Sequence, residues 1–330
     1  MKAITTMTMN PSVDKSTSTR NIVAEKKLRC TDLRREPGGG GINVSRVIKR
    51  MGGESIAVFP AGGSNGQMLQ DMLNAEGVSQ YAIPIKNMTR ENFTVYEEAT
   101  GLQYRFGMPG PELSEAELKR CLNELDAISP PPAYLVISGS LPPGAPDYFY
   151  AHVIHKARGL GARVILDTSG EALKQALKES VYLIKPNMAE MIDLAGFTIE
   201  DEGKQEAAAV SIVNQGLSEI VVVSLGAAGA LLVTRNICER LRAPSVPVKS
   251  KVGAGDSMVA GIVLKLAQGK SIHEAISYGV AAGAAAVMSP GTELAHKKPT
   301  DRLYQQIVSG SHTFRNPKVT RHGKKETPQS

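Results

Sequence analysis

Long apolar runs are missing from this sequence. None approaches the roughly 20 residues that cross a bilayer as a helix, so no membrane role is expected. The stretch from Met1 to Thr8 lacks the apolar segment and cleavage site of a secretory signal. Cysteine is scarce: Cys30, Cys121 and Cys238 stand far apart, in neither metal-ligand nor disulfide spacing, which suits reduced thiols in the cytoplasm. Acidic residues are outnumbered 32 to 38, and the net charge of +6 raises the question of nucleic acid. Residues 310–330 answer most of it. There Arg315, Lys318, Arg321, Lys324 and Lys325 face only Glu326, which places +4 of the +6 in that stretch. It holds few apolar residues and reads as a disordered basic tail. The body before it is near neutral, and nucleic-acid binding by the fold is not expected.

What is present suits a packed enzyme-sized domain. The chain has 330 residues, 42% hydrophobic and 21% charged, enough for one large α/β domain or two smaller ones. Two glycine-rich turns run into apolar helices. The later one is Gly253-Ala254-Gly255-Asp256, followed by an apolar run from Met258 to Ala267. Unpaired amides at a helix start attract anions. An acid beside such a site repels an anion, yet it has a use if it takes a proton from an attacking hydroxyl. The turn alone fits equally a tight turn with Asp256 as helix cap. The earlier run, Pro37-Gly38-Gly39-Gly40-Gly41, leads into Ile42, Val44, Val47, Ile48 and Met51. Glycine lets the backbone approach a ligand closely there.

Between these turns the pattern alternates. Residues 2–9 read as a strand that ends at Asn10-Pro11-Ser12-Val13-Asp14, with Asp14 at the strand's carboxyl end. Residues 55–60, 133–137, 163–166, 182–184 and 219–223 read as apolar strands, and helical segments separate them. Near-continuous apolar strands indicate a mainly parallel sheet covered on both faces. Asp14, Ser138, Asp167, Lys185 and Ser224 fall where strands end, the expected rim of a ligand crevice. Two short β segments, about 15–36 and 89–108, interrupt this order and suggest a small projecting sheet. Gly62 to Gly66 reads as a loop before a helix over 67–76. His152 and His155 lie at i, i+3 without a third ligand and read as helix surface. Gly269-Lys270-Ser271 mimics the end of a P-loop but follows a helix, so that motif is rejected. Gly226-Ala227-Ala228-Gly229 leads into a strand, not a helix, so a dinucleotide fingerprint is rejected too. The turn fits equally a nucleotide approach or a hairpin.

Taken in order, Pro37-Gly38-Gly39-Gly40-Gly41-Ile42-Asn43-Val44, Lys185-Pro186-Asn187 with Glu190, Ser224-Leu225-Gly226 and Gly253-Ala254-Gly255-Asp256-Ser257 resemble the ribokinase-like sugar kinases, the PfkB family. The resemblance spans residues 1–309. Lys27-Leu28-Arg29-Cys30-Thr31, Phe59-Pro60-Ala61-Gly62-Gly63, Gln103-Tyr104-Arg105-Phe106 and Ser138-Gly139-Ser140-Leu141-Pro142-Pro143-Gly144 narrow it to the bacterial minor-type 6-phosphofructokinase branch. It implies a three-layer α/β sandwich with a mainly parallel sheet and a small β lid that also pairs two subunits into a homodimer. It implies ATP and Mg²⁺ as cofactors and a sugar phosphate as substrate. Asp256 would be the base, with the amides of Gly253, Ala254 and Gly255 as anion hole. Asp14, Gly39, Gly40 and Asn43 would hold sugar hydroxyls. Lys27, Arg29, Arg90, Arg105 and Ser140 would meet the sugar's phosphate, Lys27 from across the dimer. Lys185, Asn187, Ser224, Gly226 and Gly229 would meet ATP, with Val280 and Gly283 at the adenine. Asn187 and Glu190 would support Mg²⁺ through water. In relatives Ser250, Val252, Ala286, Ser289 and Gly291 would surround a monovalent cation such as K⁺. The family often carries Asp and Thr where this chain has Ser250 and Lys251, and the Lys251 ammonium is expected to replace that ion in part. The implied reaction is phosphorylation of fructose 6-phosphate at its 1-hydroxyl. Tagatose 6-phosphate and fructose 1-phosphate are alternative substrates. A catalytically silent sugar-phosphate binder is the alternative from another class.

Overall fold

The computed structural model of the protein describes residues 1–310 except Asp32 and Pro290. The expected basic tail lies outside the described residues beyond Gly310. The chain opens with β1 (Ile4–Met7), β2 (Ser12–Thr19), β3 (Arg34–Gly38), α1 (Gly40–Arg50), β4 (Ile56–Ala61), α2 (Gly63–Ala75) and β5 (Ser79–Pro84). It continues through β6 (Arg90–Glu97), β7 (Leu102–Gly107), α3 (Glu115–Asn123), β8 (Tyr134–Ser138), α4 (Phe149–Gly159), β9 (Arg163–Asp167), α5 (Gly170–Ala176) and β10 (Val181–Ile184). The last third holds α6 (Met188–Ala195), α7 (Glu202–Asn214), β11 (Ser218–Ser224), β12 (Ala230–Thr234), β13 (Cys238–Leu241), α8 (Ala254–Ala267), α9 (Ile272–Val287) and α10 (Lys297–Gly310).

Nine strands form one sheet in the order β13-β12-β11-β10-β9-β8-β1-β4-β5. The ladders from β5 to β11 are parallel, and β12 and β13 add antiparallel at one edge. The inner strands read as unbroken apolar runs because they bury both faces. Leu135 and Ile137 of β8, with Val221 and Val223 of β11, pack under α3, α4 and α7. Their neighbours Val136 and Val222 pack under α1, α8 and α9. A period of two thus sends alternate side chains to opposite layers. From β1 the chain winds one way through β4 and β5, then the other way through β8 to β11. The switch lies between β1 and β8, where an open α/β sheet leaves a crevice at its carboxyl edge.

The smaller sheet has the order β3-β2-β6-β7. It corrects one expectation. Asp14 does not end the first strand; it lies inside β2, paired with Glu36 of β3 and Asn92 of β6. Pro11 bends the chain, but β2 resumes at Ser12. The helix after Gly62 also starts earlier than expected, at Gly63. Ser271 closes a capping box with Glu274 at the head of α9, so the Gly269-Lys270-Ser271 run serves a helix start. His155 is mostly exposed and touches only Glu179, as a surface reading requires.

Candidate active site

The crevice is built by two helix starts that meet over the switch point. Gly39 caps α1 with φ 114°, and a Cβ there would sit 2.6 Å from Thr8 Cγ2. A side chain on Gly40 would collide with Ser138 at the end of β8. α1 is therefore pressed against β1 and β8 in a way only glycine allows. The second start is that of α8. Gly253 adopts φ 72°, a left-handed conformation, and Leu294 occupies the place of its missing Cβ. Both conditions select glycine at the start of α8.

Asp256 stands in the first turn of α8. Asn43 Nδ2, from α1, donates to Asp256 Oδ2 at 2.9 Å. Burial pushes the Asp256 carboxyl up to about 6, and repulsion from Asp167 adds to it. The Asn43 hydrogen bond and the Lys185 charge pull the other way, and Asp14 again raises it. A carboxylate with that value is deprotonated near neutral pH yet basic enough to accept a proton. Lys185, at the end of β10, is 5% exposed. Its Nζ lies 3.1 Å from Asp167 Oδ1, and 3.5 Å from where a Cβ on Gly255 would be. Burial favours its neutral form, but attraction to Asp167, backed by Glu190 and Asp256, outweighs this and raises the pKa. Lys185 is thus an ammonium beside the amides of α8.

A cavity of about 350 Å³ opens between the small sheet and the body, lined by Asp14, Arg90, Asn92, Arg105, Val252 and Thr292 among others. Asp14 accepts from Ser12 Oγ at 2.6 Å and from Asn92 Nδ2 at 2.9 Å. Arg90 donates to the carbonyls of Met108 at 3.0 Å and Asn10 at 2.9 Å, while its Nε is buried without a partner. An unmatched buried donor is costly and marks a place for an acceptor. Ser140 sits outside this lining and accepts from Asn10 Nδ2 at 3.3 Å. Lys27 and Arg29 are exposed on the loop between β2 and β3 and do not line the cavity.

These side chains form one continuous arrangement: arginines and Asp14 under the small sheet, then a buried carboxylate, then helix amides with a lysine. The model described as pfkB family carbohydrate kinase matches residues 7–299. The chain belongs to the PfkB family. The ATP-dependent 6-phosphofructokinase isozyme 2 of Escherichia coli K12 is 44% identical over 308 residues, 93% of this chain and 99% of that protein. A crystal structure of E. coli phosphofructokinase-2 with fructose-6-phosphate has a TM-score of 0.89 at 43% identity, covering 93% of this chain and 100% of that one. A second, with potassium, has a TM-score of 0.90 at the same identity and coverage. The ribokinase-like fold is confirmed with them.

As a PfkB kinase the protein uses ATP and a divalent metal to phosphorylate a sugar phosphate. The donor set fits a metal carried by nucleotide phosphates. Asn187 and Glu190 cap α6 reciprocally, Glu190 Oε2 accepting from Asn187 N at 2.9 Å and Asn187 Oδ1 from Glu190 N at 3.0 Å. Burial raises the Glu190 carboxyl, and Asp167 repels it, against the Asn187 hydrogen bonds and Lys185. Asp167, Glu190 and Asp256 thus share the single ammonium of Lys185, an excess of negative charge that a cation would relieve. Asp167 was legible on the strand rim but was not among the expected site residues. Asn92 and Thr292 gave no signal in the sequence.

The other residues expected near the nucleotide sit as follows. Gly226 faces open space, and Ser224 pairs across to Asn187, which keeps both beside the crevice. Gly229 backs onto Leu241 of β13, where any Cβ would strike the backbone. Val280 is 4% exposed and packs in the apolar layer with α8. Gly283 lies against Ala254 O, 3.3 Å from its Cβ position, and lets α9 approach the start of α8.

Proposed function

We propose that this PfkB kinase transfers the γ-phosphoryl group of ATP to the 1-hydroxyl of fructose 6-phosphate, giving fructose 1,6-bisphosphate and ADP. The observation that carries this reading is the cavity in which Arg90, Arg105 and Asp14 face the body of the protein. The guanidinium groups bind the 6-phosphate through paired hydrogen bonds, the unmatched Arg90 Nε among them. Asp14 and the wall formed by Gly39 and Gly40 take the hydroxyls. The 1-hydroxyl then reaches Asp256. Asp256 accepts its proton as O1 attacks the γ-phosphorus and the bond to the departing ADP oxygen breaks. The α8 amides and Lys185 face the charge that spreads over the phosphoryl oxygens. Mg²⁺ bound to the nucleotide would supply further charge neutralisation, with Glu190 and Asp167 on its side of the crevice.

A coupled assay of ADP release over fructose 6-phosphate, tagatose 6-phosphate and fructose 1-phosphate tests the reading. Fructose 6-phosphate is expected to give the highest kcat/KM. Preference for either other sugar would move the assignment to that substrate, and tight binding without turnover would mark a silent binder.

Exposed apolar residues of the small sheet support a homodimer. Leu102 is 57% and Phe106 50% exposed there, and Leu28, Leu33, Tyr96 and Met108 are exposed nearby. A second copy would cover them and bring Lys27 and Arg29 within reach of its neighbour's cavity. Light scattering is expected to give twice the 35.1 kDa of one chain. The corner in which the resemblance implies a monovalent cation carries Ser250 in place of an acid. Ser250 is buried and its Oγ accepts from Val252 N at 3.2 Å, while Ser250 N and Lys249 N donate to Val287 O. The carbonyl of Ala286 receives Ser289 N at 3.0 Å, and Gly291 adopts φ 65°. Lys251 is exposed at the edge of this corner, so its charge acts from the rim.

A further inference from the structure

Arg46 is the most heavily engaged cation near the site, and no step above uses it. It lies on α1, 2% exposed, one turn after Asn43. Its Nε donates to both Glu76 oxygens at 3.0 and 2.8 Å, and its NH2 to Glu76 Oε1 at 2.6 Å. Its NH1 donates to Pro37 O at 2.9 Å and to Asn43 Oδ1 at 3.4 Å. NH2 also lies 3.5 Å from Glu36 Oε1 on β3, and Thr292 Oγ donates to the other Glu36 oxygen. Arg50, four residues on, donates to Leu294 O at 3.3 Å and lies 3.9 Å from the same Glu76. Leu294 is the side chain against Gly253.

An amide has a donor end and an acceptor end, and a guanidinium only donates. Arg46 can therefore face only the oxygen of Asn43, which turns the nitrogen of Asn43 toward Asp256. The two contacts, 3.4 Å on one side and 2.9 Å on the other, leave the amide no second orientation. The same guanidinium fixes the carbonyl of Pro37, the residue that opens the earlier glycine run. We propose that Arg46 is a positioning residue: it orients Asn43 so that its amide donates to the Asp256 carboxylate, and it ties that orientation to the end of β3. A flipped Asn43 would place an oxygen against Asp256 and disfavour the ionised base. This inference rests on Asp256 being the base, but its first readout does not depend on turnover.

The experiment is a carbon-13 NMR titration of the Asp256 carboxyl in protein labelled at aspartate, with Asp256→Asn to assign the signal. Four forms are compared: unmodified, Arg46→Met, Asn43→Ala, and both substitutions together. Arg46→Lys, which keeps a charge near Glu76 but loses the fork, serves if Arg46→Met does not fold. The Asp256 pKa is expected to rise by about one unit in Arg46→Met, the loss of a hydrogen bond to a charged group. It is expected to rise similarly in Asn43→Ala, and scarcely further when the two are combined. The acid limb of kcat/KM should move with it in Arg46→Met. An unmoved Asp256 titration in a folded Arg46 variant would overturn the proposal. So would fully additive shifts, which would mean that Arg46 acts on Asp256 without Asn43. If the NMR shifts appear but the acid limb does not follow, the positioning stands and the assignment of Asp256 as base fails.

Discussion

The two glycine turns look alike in sequence, and the fold uses them in opposite ways. Gly38, Gly39 and Gly40 lead into α1 with protein on every side. Side chains there would run into Asp14, Thr8 and Ser138. At Gly255 the nearest atom to an added Cβ is Lys185 Nζ at 3.5 Å, an ordinary contact. The front turn is a packed wall, whereas the back turn is packed at Gly253, against Leu294, and keeps open space at Gly255 before an ammonium and the first amides of α8. A Gly-rich run before a helix is thus not one signal. Its meaning depends on what occupies the volume where the side chains would be.

The largest expected effect of breaking this contrast is at Lys185. Lys185→Met leaves Asp167, whose side chain is 15% exposed, without its cation beside two further carboxylates, and losing one partner of a largely buried pair costs about 3 kcal/mol. Thermal unfolding should show that loss, and nucleotide affinity should fall with it; unchanged stability would mean that water already screens Asp167. Next comes the direct comparison of the two turns. Gly40→Ala forces a methyl into Ser138 and is expected to cost about 1–3 kcal/mol in chemical denaturation. Gly255→Ala should leave stability within about 1 kcal/mol yet lower kcat, because its methyl enters the anion space before Lys185. Equal stability losses at the two sites would erase the contrast. The smallest effect concerns the monovalent ion. KCl is expected to activate the unmodified protein little, and Lys251→Thr should increase the response; strong activation of the unmodified protein would show that the rim ammonium does not replace the ion.

Much of this arrangement was legible because it is local. Strand residues such as Leu135 to Ile137 read as unbroken apolar runs, since layers cover both faces of the sheet. The glycine runs marked both helix starts. Other features depend on contacts that a linear reading does not carry. Asn43 and Asp256 are 213 positions apart, and only the fold makes them partners. Asp14 reads as a strand end because Asn10-Pro11 signals a turn, but the cross-strand pairing with Glu36 and Asn92 places it within the small sheet. The edge strands β5 and β13 were missed, since residues such as Ser79 and Glu239 are exposed and carry no apolar alternation. Val280 carries no signal of its own in the sequence, and only the resemblance points to it. Arg46 resembled any basic residue in a helix until its burial was seen.

Asp256→Asn tests the account most directly. The coupled ADP-release assay and the binding of fructose 6-phosphate should be measured together, across pH. The unmodified protein should gain kcat/KM as pH rises through about 6, because only ionised Asp256 can accept the proton. Asp256→Asn should lose at least about 100-fold in kcat, roughly 3 kcal/mol of barrier, with sugar binding nearly unchanged. A variant that keeps its turnover and the same acid limb would contradict the assignment of Asp256 as the base.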